Sequence, residues 1–275
     1  MTTTGSATSA LTSYLDRIGE PGTWNADLPV LRRIVAAHAG SIAFENLDPF
    51  TRRDVRLDQE SLSAKLVHSG RGGWCFEQNL LLRSALDALG YRTTGLAARV
   101  LWGRPADAPP TPRSHMLVLV DLPEGPHVVD VGFGGLTLTG VLALEPEVEQ
   151  ATPHEPFRLW PDGAGFVMQA LVAGEWRPLY RFDLTEQCLA DYEVTNWYLG
   201  HHPASHFLAT LMAARPDTDR RYALNGTTLT VHHLGGPSEC RVLQAPAEVC
   251  AVVEEHFLLD LSGLPDLETA LGRLF

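Results

Sequence analysis

The spacing of apolar residues changes period near residue 91, and that change limits the folds open to the chain. Before it, Leu11, Tyr14, Leu15 and Ile18 stand at helical spacing, and Leu28, Leu31, Ile34, Val35 and His38 repeat the pattern after the break Gly19-Glu20-Pro21-Gly22. The same spacing predicts a third helix over 61–67. A fourth is expected over 75–89, closed by Gly90 where a glycine cap is expected. Beyond residue 91 come short β-rich runs at 93–102, 116–122, 127–131, 165–172 and 175–182. Pro123-Glu124-Gly125-Pro126 and Pro161-Asp162-Gly163 mark turns between them. The last segment mixes types: helices over 186–198, 205–213, 247–257 and 267–274, and a hairpin of 222–224 with 227–232 about Asn225-Gly226. Helices, then strands, then both predict an α+β fold and not a doubly wound sheet. The expected parts are a helical head over 1–90, an antiparallel sheet or small barrel over 91–185, and an α/β tail over 186–275.

Composition narrows the partners. The 275 residues carry a formal net charge of −12, and Lys65 is the single lysine. No basic cluster offers a footprint for nucleic acid or for an anionic membrane. A small anionic cofactor stays open, because a few backbone N–H groups and one or two arginines suffice to hold one. The first twenty residues lack the basic and apolar regions of a signal peptide, and no run approaches the roughly 18 apolar residues of a membrane span. The expected location is cytoplasmic, where Cys75, Cys188, Cys240 and Cys250 are thiols. No metal is expected: the cysteines lack C-x-x-C spacing, and His201-His202 and His232-His233 are adjacent pairs without further ligands at useful offsets.

Three residues could carry chemistry. Cys75 follows Gly72-Gly73 and opens a predicted helix, where the helix dipole and free N–H groups favour a thiolate and could later hold an oxyanion. A lone cysteine is as readily a small core residue. His115 stands at the entrance to a strand and is a candidate base. Asp130 falls between Val129 and Val131 in an apolar run, where a carboxylate is costly unless paired. It could be a turn aspartate bonding the local backbone, or the group that orients His115. The intervening turn at 123–126 lets the two strands bring them together. The order Cys, His, Asp suits thiol acyl transfer, without saying whether water, an amine or a thiol takes the acyl group.

RGGWCFEQN (71–79), SHMLVLV (114–120) and DVGFGG (130–135) closely resemble, in order and spacing, three signature segments of the arylamine N-acetyltransferases. SIAFENLDPF (41–50) is similar to that family's PFENLD segment, and WYLGHHPASHF (197–207) to its later pocket segment. The resemblance covers nearly the whole chain. It implies an N-terminal helical bundle, a central β-barrel and a C-terminal α/β lid around a cysteine-proteinase-like core. It implies acetyl-CoA as co-substrate, Cys75, His115 and Asp130 as a triad, and a ping-pong cycle. The acetyl group would pass through Cys75 to an arylamine, arylhydrazine or N-hydroxyarylamine. It further implies Phe44, Phe133 and Phe207 as pocket aromatics and Phe133-Gly134-Gly135 as the seat of the pantetheine arm. Trp102 and His206 would belong to the cleft wall, Arg17 and Glu45 would form a buried ion pair, and Arg71 would be structural. The expected partners are small molecules, with no nucleic acid or membrane and a homodimer left open.

Ala43 departs from the family's usual proline before Phe-Glu-Asn, and Ser114 from its usual threonine. Neither departure alters a residue of the expected triad. Two other enzyme classes share its logic: amide synthases that close ansamycin macrolactams, and thiol hydrolases of the papain or transglutaminase type. A binding module with an inert Cys75 is the non-enzymatic alternative.

Overall fold

Asp27 and Pro29 decide where the second helix begins. The Asp27 carboxylate accepts the Val30 N–H at 2.9 Å, and Pro29 fills a first-turn position that needs no N–H. The computed structural model describes residues 4–105 and 107–275, with side chains from residue 9. The head contains α1 (Thr4–Arg17), α2 (Leu28–Ser41), the short strand β1 (Phe44–Glu45), α3 (Leu47–Phe50), α4 (Gln59–Leu62) and α5 (Cys75–Ala88). Tyr14, Leu15 and Ile18 meet Leu31, Ile34 and Val35 and the α5 residues Phe76, Leu82 and Leu86 in one core. The helix expected over 61–67 is instead α4 running into a π-helical turn, Ser63–His68. The wider turn keeps Leu62, Leu66 and Val67 buried while Lys65 faces Glu77 and Asp48.

Seven antiparallel strands follow: β2 (Arg92–Val100), β3 (His115–Leu122), β4 (Gly125–Val129), β5 (Leu142–Ala143), β6 (Phe157–Asp162), β7 (Gly165–Val172) and β8 (Glu175–Phe182). Their order is β5-β4-β3-β2-β8-β7-β6. Bridges Pro146↔Leu159 and Gln150↔Phe157 join the segment after β5 to β6, so the sheet curls into a nearly closed barrel. The two-residue period of the strands divides their side chains. Leu117 of β3 faces the barrel interior with Leu96, Ala98, Val128, Phe157 and Met168. Met116, Val118 and Val120 face the helices and carry α5. The strand expected over 127–131 ends at Val129, which leaves Asp130 just beyond it, where its carboxylate accepts the Gly132 N–H.

The tail holds α6 (Leu189–His201), β9 (Met212–Pro216), β10 (Arg220–Asn225), β11 (Thr228–His233), β12 (Ser238–Val242), α7 (Pro246–Phe257) and α8 (Leu267–Leu271). The helix expected over 205–213 is a single 3₁₀ turn, His206–Leu208, followed by β9. Pairing overrides local preference there, since Ala214 lies between Phe44 of β1 and Ala223 of β10. The hairpin turn falls at Gly226-Thr227, and Gly226 at φ +58 supplies the positive φ its first position needs. The sheet order β1-β9-β10-β11-β12 makes a strand of the head the edge of the tail's sheet. Leu47, Phe50, Leu224, Val249, Val253 and Phe257 form the core beneath it. Among the described residues, no helix is long and apolar enough to cross a membrane.

Candidate active site

Cys75 is the first residue of α5, and two glycines before it make its position possible. Neither has a positive φ; what they allow is close packing. A Cβ on Gly72 would overlap the Ala43 carbonyl oxygen, and one on Gly73 would lie 2.6 Å from Glu77 Oε2. The Gly73 carbonyl accepts the Glu45 N–H at 3.1 Å, and Gly73 N–H donates to Ala43 O at 3.3 Å, tying the loop before Cys75 to β1. Gly132 meets Cys75 from the other side, where a Cβ would lie 2.6 Å from Cys75 Cα. Cys75 is 7% exposed, and its Sγ has the Ser114 carbonyl oxygen 3.7 Å away.

His115 opens β3, and its Nε2 lies 2.7 Å from Asp130 Oδ2. The Cys75 side chain is the ring's other polar partner, leaving Nδ1 as the nitrogen for the thiol. Burial alone would push the imidazole pKa down; the Asp130 carboxylate outweighs it, with help from Cys75, and raises it to about 10. For Asp130 burial works upward, and the His115 charge with hydrogen bonds from His115, Asn79 and Gly132 holds it below the usual carboxylate range. Four donors converge on this carboxylate: His115 Nε2, Tyr180 Oη at 2.8 Å, Asn79 Nδ2 at 3.0 Å and Gly132 N at 2.9 Å. The turn reading of Asp130 and its pairing with His115 therefore meet in one residue.

Two of the side-chain donors, Asn79 and Tyr180, were not singled out in the sequence. Asn79 lies one turn after Cys75 on the same helix face, a spacing that could have marked it. Its Nδ2 also donates to Met116 O at 2.8 Å, and its Oδ1 accepts Val131 N–H at 3.1 Å, so it joins α5, β3 and the Asp130 loop. Tyr180 comes from β8, and its ring packs 4.7 Å from the His115 ring. Its Oη donates to the same carboxylate oxygen that His115 uses.

The aromatic residues form two groups. Phe133 sets its edge against His115 at 5.2 Å and packs on Tyr180 at 5.1 Å. Phe44 and Phe207 lie 6.4 Å apart, with Trp74 at 5.4 Å from Phe207 and His206 at 4.0 Å. Asn46 holds this second group together: its Nδ2 donates to Phe207 O and Thr210 O, both at 2.8 Å, and its Oδ1 accepts Met212 N–H at 2.6 Å. Gly134, at φ +87, approaches the Phe44 ring to within 3.7 Å of a would-be Cβ. Gly135 is exposed with open space over its Cα. Trp102 lies apart, 45% exposed in the turn after β2, its amide bonded to Leu179 O at 3.0 Å.

A second buried charge cluster sits behind the first turn of α5. Arg71 binds Glu45 through Nε at 3.0 Å and Nη2 at 2.7 Å and reaches Asp48 at 3.2 Å. Lys65 Nζ lies 2.5 Å from Asp48 and 2.7 Å from Glu77. Glu77 Oε2 also accepts the Trp74 N–H at 3.0 Å, capping the helix. The expected Arg17–Glu45 pair is thus corrected. The β1–Gly73 bonding brings Arg71 to Glu45, whereas Arg17 Nε donates to Leu66 O at 3.1 Å.

The chain is similar along most of its length to known proteins. The N-acetyltransferase family model matches residues 27–265. The arylamine N-acetyltransferase of Mycolicibacterium smegmatis is 43% identical over 257 residues, spanning 92% of this chain and 93% of that protein. That of Escherichia coli (strain K12) is 38% identical over 252 residues, spanning 91% and 89%. The solved structure of Mycobacterium marinum arylamine N-acetyltransferase in complex with CoA has a TM-score of 0.92 at 42% identity, covering 96% of this chain and 98% of that one. Fold and likeness together define an acyltransferase enzyme. More narrowly, the chain belongs to the arylamine N-acetyltransferase family. Its structural neighbours share the helical, barrel and α/β parts that the sequence predicts.

Proposed function

We propose that the protein carries an acetyl group from acetyl-CoA to an arylamine, arylhydrazine or N-hydroxyarylamine by way of a thioester on Cys75. The observation that carries this reading is the His115 ring, fixed by Asp130 at 2.7 Å and with Cys75 as its other partner at the start of a helix. In the first half-reaction His115 takes the Cys75 proton and Sγ attacks the acetyl carbonyl carbon. The new C–S bond forms as the bond to the CoA sulfur breaks, and the proton leaves with CoA as its thiol. The first N–H groups of α5, which lack helical acceptors, are the donors available to the carbonyl oxygen as it gains charge. In the second half-reaction the amine nitrogen attacks the thioester carbon and His115 accepts its proton. The C–S bond to Cys75 then breaks and the thiol is restored. An aryl amine is neutral at pH 7 and needs no prior deprotonation.

The open space over Gly135 gives an extended thioester arm a path beside the backbone, and the Phe44–Phe207 group offers an aromatic wall to the acceptor. The relative solved with CoA supports that donor. Relatives bearing the arylamine N-acetyltransferase name match along nearly the full chain, the tail included, which speaks against the amide synthase and hydrolase alternatives. The test is CoA release from acetyl-CoA by the purified protein. Fast release is expected only after an aromatic amine or hydrazine is added. Equal release without acceptor would make the protein a hydrolase, and no release with any aromatic acceptor would contradict the proposal.

A further inference from the structure

We propose that Arg221 and Glu155 form a clamp through which the tail's sheet seats the loop 132–137 against Phe44 and so sets the width of the cleft. Arg221 is then a positioning residue for donor and acceptor; the inference rests on the reading of Cys75 as the acetyl carrier.

Arg221 stands on β10 and is 2% exposed, a depth at which a guanidinium needs acceptors for its donors. Its Nε lies 3.0 Å from both Glu155 oxygens and its Nη2 2.6 Å from Oε2, which completes the ion pair. The remaining Nη1 does something else. It donates to the Thr137 carbonyl oxygen at 3.0 Å, on the loop that carries Gly132, Phe133 and Gly134. Thr137 in turn grips Gly134: its hydroxyl accepts the Gly134 N–H at 2.8 Å and lies 2.8 Å from Gly134 O, and its own N–H donates to that oxygen at 3.0 Å. Gly134 faces the Phe44 ring. Arg221, Thr137 and Gly134 are thus joined bond by bond, and between Gly134 and the Phe44 ring lies about the space of one Cβ.

The other end of the chain of contacts returns to the same sheet. Phe44 in β1 pairs with Ala214 of β9, and Ala214 pairs with Ala223 of β10, two residues from Arg221. Both walls of the cleft therefore hang on one sheet. A second tether runs through His154, next to Glu155. Its Nε2 lies 2.7 Å from the Asp217 carbonyl oxygen in the β9–β10 turn, so it carries the proton and donates there. Its Nδ1 then accepts from the Thr139 hydroxyl at 3.0 Å. The triad is held mainly from outside this sheet: three donors to Asp130 come from α5, β3 and β8, none comes from β9 to β12, and only the Gly132 N–H belongs to the seated loop. Loosening the clamp should move the walls and leave the nucleophile intact.

The test compares wild type with Arg221→Met, Arg221→Lys and the double variant Arg221→Met/Glu155→Met, which removes both charges together where the single change fails to fold. Three readouts are taken on folded protein: the iodoacetamide rate at Cys75, KM for acetyl-CoA, and the kcat/KM ratio for aniline against 4-aminobiphenyl. In the folded Met variants the iodoacetamide rate should stay within about 2-fold, while KM rises about 10-fold and the amine ratio shifts by about 3-fold or more. Arg221→Lys, which keeps an ion pair but loses the fork that reaches Thr137, should fall between. A lowered melting temperature with KM and amine ratio unchanged would overturn the clamp, as would an iodoacetamide rate that falls in step with turnover. Failure of the underlying reading would show separately, as wild type that releases no CoA when amine is added.

Discussion

Two buried charge clusters flank the first turn of α5, and their wiring differs. Behind the helix, three carboxylates (Glu45, Asp48 and Glu77) face two cations, Lys65 and Arg71, and Glu45 and Glu77 also accept the backbone N–H groups of Leu47 and Trp74. In front of it one carboxylate, Asp130, takes four donors, and the imidazole it fixes keeps a second nitrogen for Cys75. Buried charge alone therefore does not mark a catalytic site. What sets the front cluster apart is that its imidazole also has a buried thiol, Cys75, as a partner, the residue proposed to carry the acetyl group.

The comparison breaks most visibly at Cys75. Cys75→Ser should cut acetyl transfer by about 10³-fold or more while leaving the melting temperature nearly unchanged, because a hydroxyl is a far weaker nucleophile in the same space. In wild type, iodoacetamide should label Cys75 far faster than Cys188, Cys240 or Cys250; equal labelling of all four would count against an activated thiol. Asp130→Asn should lower turnover by about 10²- to 10⁴-fold, since the amide cannot hold the charged ring.

That variant also separates the clusters by pH. His115 is raised from 6.5 to about 10, so the pair's stabilisation is full below about 6.5 and lost as pH rises through about 10. The difference in unfolding free energy between wild type and Asp130→Asn should therefore shrink across that window; a difference constant from pH 6 to 10 would contradict the pairing.

Changes behind the helix should act on stability and spare chemistry. Lys65→Met leaves three carboxylates with one cation and should cost about 3–5 kcal/mol, with turnover per folded molecule within about 3-fold of wild type. A large loss of turnover in folded protein would join the two clusters into one machine. The smallest effect is expected at Glu77→Gln. Burial raises Glu77 from 4.5 to about 7, Lys65 only partly opposing, so its stabilising share is present below about 4.5 and lost as pH rises through about 7. Glutamine should flatten the stability profile between those values, as read by urea unfolding.

Much of this was legible in local pattern. The change of period near residue 91 predicts the order of helices, barrel and α/β tail, and Cys75 falls at the start of its helix as the glycines suggest. Less legible was whatever depends on distant pairing. Tyr180 reaches Asp130 because β2 lies between β3 and β8, a neighbour relation with no local signal. Glu45 takes Arg71 and not Arg17 because β1 bonds to Gly73, and β9 is a strand because β1 and β10 enclose it. The close approaches at Gly72 and Gly132 are likewise invisible until the partner backbone is in place.

The central claim is that the acetyl group rests on Cys75 between donor and acceptor. Mass spectrometry of the protein mixed with acetyl-CoA, without amine and quenched in acid, tests it directly. A single acetyl group on the peptide bearing Cys75, discharged when an aromatic amine is added before the quench, is the result expected. Transfer to the amine with no acetyl group ever found on Cys75, or one found on another residue, would contradict it.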